Sequence, residues 1–351
     1  MKSIGIKNYA SGVVLCLIIA LGAWELVKLV PALEIVGASV IAIITGMVFT
    51  IFIKDKTNLQ AGITFTSKKV LQYAVILLGF GLNLMTIGKV GLTSLPVILS
   101  TIAISLIVAY LFYKLVAIPE KIAILIGVGS SICGGSAIAA TAPVIDANDK
   151  EIAQSISVIF LFNVIAAVIF PTLGSFLGLS NQGFGLFAGT AINDTSSVTA
   201  AAATWDAMHH TGSQVLEYAT IVKLTRTLAI IPITLVLSLS RAKKNQVEKK
   251  AIKLKNLVPT FILYFVLASI ITTIISLFAN NQVLLYANTV FSFLKQLSKF
   301  FIVMAMAAIG LNTDVIELIK KGGKPILLGF TCWLSITVVS LIVQSLFGIL
   351  R

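Results

Sequence analysis

Three charged side chains carry the chemistry of this sequence, because each lies inside an apolar run. Asp194 sits within GLFAGTAINDTSSVTAAAATWD (185–206), and Lys223 and Arg226 within EYATIVKLTRTLAIIPITLVL (217–237). A charge at the centre of a bilayer costs about 3 kcal/mol on insertion scales, so Asp194 must be paired, protonated or hydrated. Such a carboxylate suits proton carriage or Na⁺ ligation. Lys223 and Arg226 are three residues apart and share a helix face. Two cations beside one carboxylate leave a surplus positive charge, and a guanidinium favours two-pronged contact with an oxyanion. The competing reading has Lys223 snorkelling toward the headgroups and Asp194 in a structural pair.

A third run, GVGSSICGGSAIAATAPVIDA (127–147), has the apolarity of a span but a centre of glycine and serine. Each glycine costs a helix about 1 kcal/mol relative to alanine, and serine hydroxyls compete for backbone hydrogen bonds. The run therefore predicts a helix broken at Ser130, Ser131, Cys133, Gly134, Gly135 and Ser136, with a half-helix from near Ser136 toward Ile145. Free N–H groups at its start would suit an anion; close helix packing by small residues is the alternative. Asn193, Asp194, Thr195 and Ser196 form the matching polar centre of the 185–206 run. These residues, with Lys223 and Arg226, are the expected substrate-binding set, and Asp194 and Asn193 the expected coupling-ion ligands. Asn83, Asn163 and Asn312 are secondary candidates, equally readable as helix–helix hydrogen bonds.

Other chemistries fit less well. Ser130, Ser131 or Cys133 would need a neighbouring base to act as a nucleophile, and the two histidines, His209-His210, fall in a loop, so catalysis is not expected. That His pair has no third ligand at a metal spacing, and Cys16, Cys133 and Cys332 are scattered, so neither a metal nor a cofactor is expected. A passive channel would want rings of like residues, which only a homo-oligomer would supply.

The positioning elements are membrane helices. The 351 residues are 58% hydrophobic and 11% charged, with mean hydropathy +1.04, more apolar surface than a soluble core absorbs. The expected fold is an all-α polytopic membrane protein of about eleven transmembrane helices, one transporter domain whose core includes 122–240. The spans are 9–30, 33–53, 70–88, 95–115, 122–145, 152–176, 184–206, 216–240, 257–279, 297–318 and 325–349. Segment 282–296 reads as an amphipathic, interfacial lead-in, and Glu25–Lys28 as an ion pair closing the first span. A basic start before an apolar run also fits a cleaved leader, but the run continues toward Val30 and a second follows at once.

The net charge of +13 reflects topology and not a nucleic-acid partner. Lys2, Lys7, Lys54, Lys56, Lys68, Lys69, Lys114, Lys121, the segment RAKKNQVEKKAIKLK (241–255), Lys320, Lys321 and Lys324 fall on one side of the eleven-span arrangement. Asp146, Asp149, Glu151, Asp206 and Glu217 fall on the other. The positive-inside rule then sets the N-terminus in the cytoplasm and the C-terminus outside. Gly81-Leu82-Asn83 and Gly310-Leu311-Asn312 match at an offset of 229 residues, as do Pro96 and Pro325. By this topology the two copies run in opposite directions, the mark of an inverted-topology repeat. The second copy ends before any broken span like 122–145, and chance similarity among apolar segments is the alternative.

The runs at 127–147 and 189–201, with IVKLTRTLAIIP and MAMAAIGLNTDVIELIKKGGKP, resemble the YeiH-like family of bacterial inner-membrane proteins labelled sulfate exporters. The likeness extends from about Gly62 to Pro325. It implies kinship with cation/proton antiporters and bile-acid-symporter-like transporters, in which crossed, broken helices of a core work against a panel of scaffold helices. Members of that family carry a His-Glu pair where this chain has Asn193-Asp194, so a histidine proton carrier is absent and Asp194 is the remaining titratable group. The expected function is secondary transport of a small anion, of sulfate, sulfonate or carboxylate class, coupled to H⁺ or Na⁺. The alternative is Na⁺/H⁺ exchange with Asp194 as ligand and Arg226 as its structural partner. The topology predicts that a reporter fused after Arg351 is active only outside the cytoplasm; cytoplasmic activity would overturn the odd span number.

Overall fold

The computed structural model describes residues 6–30, 33, 37–53, 55–80, 82–245, 260–313 and 315–350. Lys2, Lys54, Gly81, residues 246–255 of the basic segment and the start of the 257–279 span lie outside them. Every regular element among the described residues is helical. In chain order these are α1 (Ile6–Leu29), α2 (Ala38–Phe52), α3 (Gln60–Phe65), α4 (Leu71–Leu78), α5 (Leu84–Leu115), α6 (Glu120–Ser131), α7 (Gly135–Thr141) and α8 (Asp149–Phe176). There follow α9 (Asn181–Ala191), α10 (Thr195–Met208), α11 (Gln214–Thr227), α12 (Ile230–Asn245), α13 (Thr260–Phe278), α14 (Asn281–Asn312) and α15 (Val315–Leu346). A π-helical turn, Thr66–Val70, joins α3 to α4, and a 3₁₀ turn, Ala142–Val144, follows α7.

Seven helices among the described residues are long and apolar enough to cross a bilayer: Tyr9–Leu29, Leu84–Leu115, Lys150–Phe176, Gln214–Leu237, Thr260–Phe278, Gln282–Asn312 and Gly323–Leu346. Each matches one of the eleven expected spans. The other four expected spans take different forms. The 33–53 span is the 15-residue α2. The 122–145 span is divided between α6 and α7, and the 184–206 span between α9 and α10. The 70–88 span is displaced, because the helical run of α3, the π turn and α4 ends at Leu78 and the next helix starts at Leu84. Apolarity continues through Gly79 to Leu82 and so concealed the break.

Two expected spans are longer than the apolar pattern indicated. Segment 282–296 is continuous with its span in the 32-residue α14, and α5 also has 32 residues. Each is roughly 48 Å long at 1.5 Å per residue, against a hydrocarbon core of roughly 30 Å. The two Gly-Leu-Asn segments differ locally. Asn83 precedes α5 and its Oδ1 accepts from the Thr86 N–H at 2.7 Å. Asn312 ends α14 and accepts from Gln60 Nε2 at 2.8 Å. Both prolines lie inside helices, Pro96 in α5 and Pro325 just after a kink at Gly323 (φ 44°).

The chain divides into two compact units. Unit 1 comprises Met1–Lys89, Thr199–Glu217 and Thr260–Val315; unit 2 comprises Val90–Val198, Tyr218–Pro259 and Ile316–Arg351. Of the expected core 122–240, residues 199–217 belong to unit 1. In unit 1, α14 packs along α2, α4 and α1, and α13 along α4. The α2–α14 contact rests on Gly46 and Gly310: a Cβ on Gly310 would fall 2.1 Å from the Ile43 carbonyl oxygen, and one on Gly46 2.5 Å from that of Ala307. Small residues let membrane helices meet backbone to backbone in this way. The expected Glu25–Lys28 pair is present at 2.7 Å.

In unit 2, α6, α7 and α8 pack together around a core that includes Leu125, Ile126, Ile138, Ile159 and Phe162. Helix α8 starts with a reciprocal capping box, in which Asn148 Oδ1 accepts from the Glu151 N–H and Glu151 Oε2 from the Asn148 N–H, both at 2.9 Å. Trp333 of α15 stacks on Phe170 of α8 with centroids 5.5 Å apart.

Gly310→Ala is expected to lower the melting temperature of the detergent-solubilised protein, at about 1–3 kcal/mol for overpacking. Gly88→Ala, in α5 with nothing within 4 Å of the added carbon, should be neutral or stabilising by up to about 1 kcal/mol. Equal melting temperatures for the two variants would refute the close approach.

Candidate functional site: two helix breaks held by buried cations

Both sites of expected helix breakage are broken, and both breaks lie in unit 2. After α6 the backbone leaves the helix at Ile132 (φ −122°, ψ −90°) and turns at Gly134 (φ 66°, ψ −128°) before α7 begins at Gly135. The positive φ at Gly134 is what calls for glycine there. The restart is within a residue of the expected Ser136, and α7 is seven residues long before the 3₁₀ turn. After α9 the chain becomes extended at Ile192 (φ −98°, ψ 136°) and re-enters a helix at Thr195. A Cβ on Gly134 would lie 3.4 Å from Asp194 Cβ and 3.6 Å from Asn163 Nδ2, so the two breaks face each other.

A helix that stops inside protein leaves its last carbonyls without N–H partners, and its C-terminal end is partly negative. Here α6 and α9 both end at this place. Lys223 and Arg226, fully buried on α11, answer both ends. Lys223 Nζ donates to the carbonyls of Ile132 (2.7 Å), Ile192 (3.1 Å) and Asn193 (2.5 Å). Arg226 donates from Nε to the Ser131 carbonyl (2.7 Å), from Nη2 to that of Ser130 (2.6 Å) and from Nη1 to that of Ile192 (3.2 Å). An ammonium has three donors, so those of Lys223 are fully used. The snorkelling alternative does not describe either residue, and direct substrate contact through Lys223 has no free hydrogen to draw on.

The side chains of the second break are arranged differently. Asp194 caps α10: its Oδ1 accepts from the Ser197 N–H at 3.3 Å, and its Oδ2 from the Ser196 hydroxyl. The carboxylate is half-buried, and Thr195 beside it likewise. Asn193 is buried; its N–H donates to Asn163 Oδ1 at 3.0 Å, and its own Oδ1 lies 3.5 Å from Arg226 Nη2. Its Nδ2 has no hydrogen-bond partner, and the buried Ser130 Oγ has only the Cys332 thiol beside it. A buried amide donor left open costs stability unless something fills it.

The structure thus brings together Ser130, Ser131, Cys133, Gly134, Asn163, Asn193, Asp194, Lys223 and Arg226, with Gly135, Thr195 and Ser196 at the two helix restarts. Ser136 is exposed. Asn163 acts as a helix–break hydrogen bond, while Asn83 and Asn312 belong to unit 1. Sequence reasoning missed the carbonyl of Ile132, which binds Lys223, and that of Ile192, which binds both cations, through backbone that no side-chain pattern advertises. The signal available was the coincidence of two breaks with two nearby cations. Among the described residues no cluster of three metal-ligating side chains occurs, and Cys16, Cys133 and Cys332 are free and buried.

Residues 11–329 match the family profile described as "Conserved hypothetical protein 698". The chain is 60% identical over 348 residues to a UPF0324 membrane protein of Fusobacterium nucleatum, covering 98% of this chain and 99% of that one. It is 57% identical to a UPF0324 membrane protein of Streptococcus agalactiae (97% and 98% covered) and 59% to one of Streptococcus mutans (97% of each). No solved structure matches the chain. With relatives named as membrane proteins and seven helices of spanning length and apolarity, this is a multi-pass membrane protein, and the chain belongs to the conserved hypothetical protein 698 family of UPF0324 membrane proteins.

Proposed function

We propose that the protein is a secondary active transporter of a small anion, of sulfate, sulfonate or carboxylate class, coupled to H⁺ or Na⁺ through Asp194. The observation that carries this reading is the pair of fully buried cations at two apposed helix breaks, with one carboxylate beside them. The local excess of positive charge favours an anion through its field, while the carbonyls keep both cations in place. The substrate's direct ligands are then the open Nδ2 of Asn193, the Ser130 hydroxyl, and the N–H groups at the starts of α7 and α10. Broken helices meeting in this way support the kinship with the YeiH-like, antiporter-like and bile-acid-symporter-like transporters that the sequence resembles. Catalysis forms no part of this reading.

In the same reading the four short, displaced or interrupted segments also cross the bilayer and bring the total to eleven, with the N-terminus cytoplasmic and the C-terminus outside. The two halves of a broken span share one crossing, since 11 residues of α9 alone reach roughly 16 Å. The Gly-Leu-Asn segments, whose Asn83 and Asn312 each lie at a helix end with a proline downstream, are in this reading the remnant of an inverted repeat.

A second reading is Na⁺/H⁺ exchange. It is favoured by the complete use of the Lys223 donors on carbonyls, which leaves the half-buried Asp194 as the group most open to a ligand.

Thermal unfolding of the purified protein with a panel of sulfate, sulfonates, carboxylates and Na⁺ separates these readings. Stabilisation by an anion, lost in Asn193→Ala, is the expected result. Stabilisation by Na⁺ alone, abolished in Asp194→Asn, would replace it with the exchanger. Flux into proteoliposomes should saturate and respond to a pH or Na⁺ gradient; a linear, gradient-independent flux would mean a channel. Arg226→Ala should destabilise the protein without any ligand, by about 3 kcal/mol or more, because it strips charge-assisted bonds from buried carbonyls. An unchanged melting temperature for that variant would refute the role of Arg226 at the helix ends.

A further inference from the structure

Unit 1 holds a cleft of about 700 Å³, a volume typical of small-molecule sites. Its polar wall carries Asp206, Lys295, Lys299 and Thr204, and its apolar wall Trp24, Val27 and Val303. None of these belongs to the helix breaks of unit 2.

The hydrogen-bond ledger of the cleft is one-sided. Asp206 is buried, and its carboxylate is occupied by protein donors: Oδ1 accepts from the Thr211 hydroxyl and the Val215 N–H (3.1 Å), and Oδ2 from the Leu216 N–H (2.9 Å). It therefore orders the turn into α11 and has little left for a cation. The ammonium groups are less committed. Lys299 donates to the Gly212 carbonyl at 2.5 Å, and Lys295 pairs with Glu217 at 2.7 Å. Each ammonium has three hydrogens. Thr204, 3% exposed and lining the same cleft, has no partner for its hydroxyl. The two ammonium groups and the Thr204 hydroxyl thus have hydrogens to give while the Asp206 carboxylate is occupied, so this wall of the cleft suits a ligand that brings acceptors.

We propose that unit 1 carries its own binding site for a small organic anion, with a carboxylate or sulfonate group between Lys295 and Lys299 and an apolar body against Trp24 and Val303. The site goes beyond the transport reading and does not depend on it. The same oxyanion chemistry is available from a soluble carboxylate or from the phosphate of an anionic lipid headgroup.

The full chain, delipidated in a neutral detergent, is titrated with benzoate and separately with short-chain phosphatidylglycerol, followed by calorimetry. At least one probe is expected to bind, with roughly 10–100-fold weaker binding in Lys299→Gln, the loss of one charge-assisted hydrogen bond. Lys299→Arg, which keeps the charge, should retain most of the affinity and controls for folding. Repeating the titrations in the Asn193→Ala background removes any contribution from the unit 2 breaks and should leave the Lys299-dependent binding in place. Benzoate binding identifies a soluble ligand, and phosphatidylglycerol binding alone identifies a lipid headgroup as the source. Failure of both probes, or binding that Lys299→Gln leaves intact, overturns the proposal while the unit 2 reading stands.

Discussion

The interaction on which unit 2 depends is the grip of Lys223 and Arg226 on carbonyls at two helix ends. Each of α6 and α9 stops within the protein, and each would otherwise present unpaired acceptors and a partial negative charge to a low-dielectric interior. A buried cation without a counter-ion is equally unfavourable. Each problem solves the other: six hydrogen bonds run from the two cations to five backbone carbonyls, those of Ser130, Ser131, Ile132, Ile192 and Asn193. The carbonyls carry only partial charges, so they do not cancel the guanidinium charge of Arg226. This is why Asp194, and any anion reaching the site, would feel an attractive field.

The local sequence serves this arrangement. Gly134 supplies a left-handed backbone conformation where the chain turns between α6 and α7. Asp194 restarts α10 as its cap, which ties a titratable carboxylate to the integrity of a helix start. Asn163, from the middle of α8, holds the Asn193 N–H and so anchors the second break to the helix that packs on the first.

Unit 1 follows a different logic. Its helices meet through glycine contacts such as Gly46 with Gly310, which bring backbones together without polar groups. Asp206, Lys295 and Lys299 line one cleft, where Asp206 is absorbed in ordering a turn and the lysines retain hydrogens. Buried charge in unit 2 answers helix ends, whereas partly buried charge in unit 1 leaves donors open.

Much of the helical architecture was legible in composition. Long apolar runs located the seven helices of spanning length among the described residues, because a helix that long and that apolar has no stable alternative. The density of glycine and serine at 127–136 and of polar groups at 193–199 located both breaks, because those residues oppose continuous helix wherever they fall. Boundaries were less legible where apolarity continued past a helix end, as after Leu78, or where a polar face continued a helix, as in 282–296. What only the tertiary structure decided was the use of the charges. Sequence presented Lys223 and Arg226 as free cations awaiting an anion, since their partners are backbone oxygens that every residue possesses. Only the folding of two distant breaks onto one face of α11 made those particular carbonyls available. The stretch that breaks the helix is written in its own residues; what the break binds depends on which other ends the fold brings to meet it.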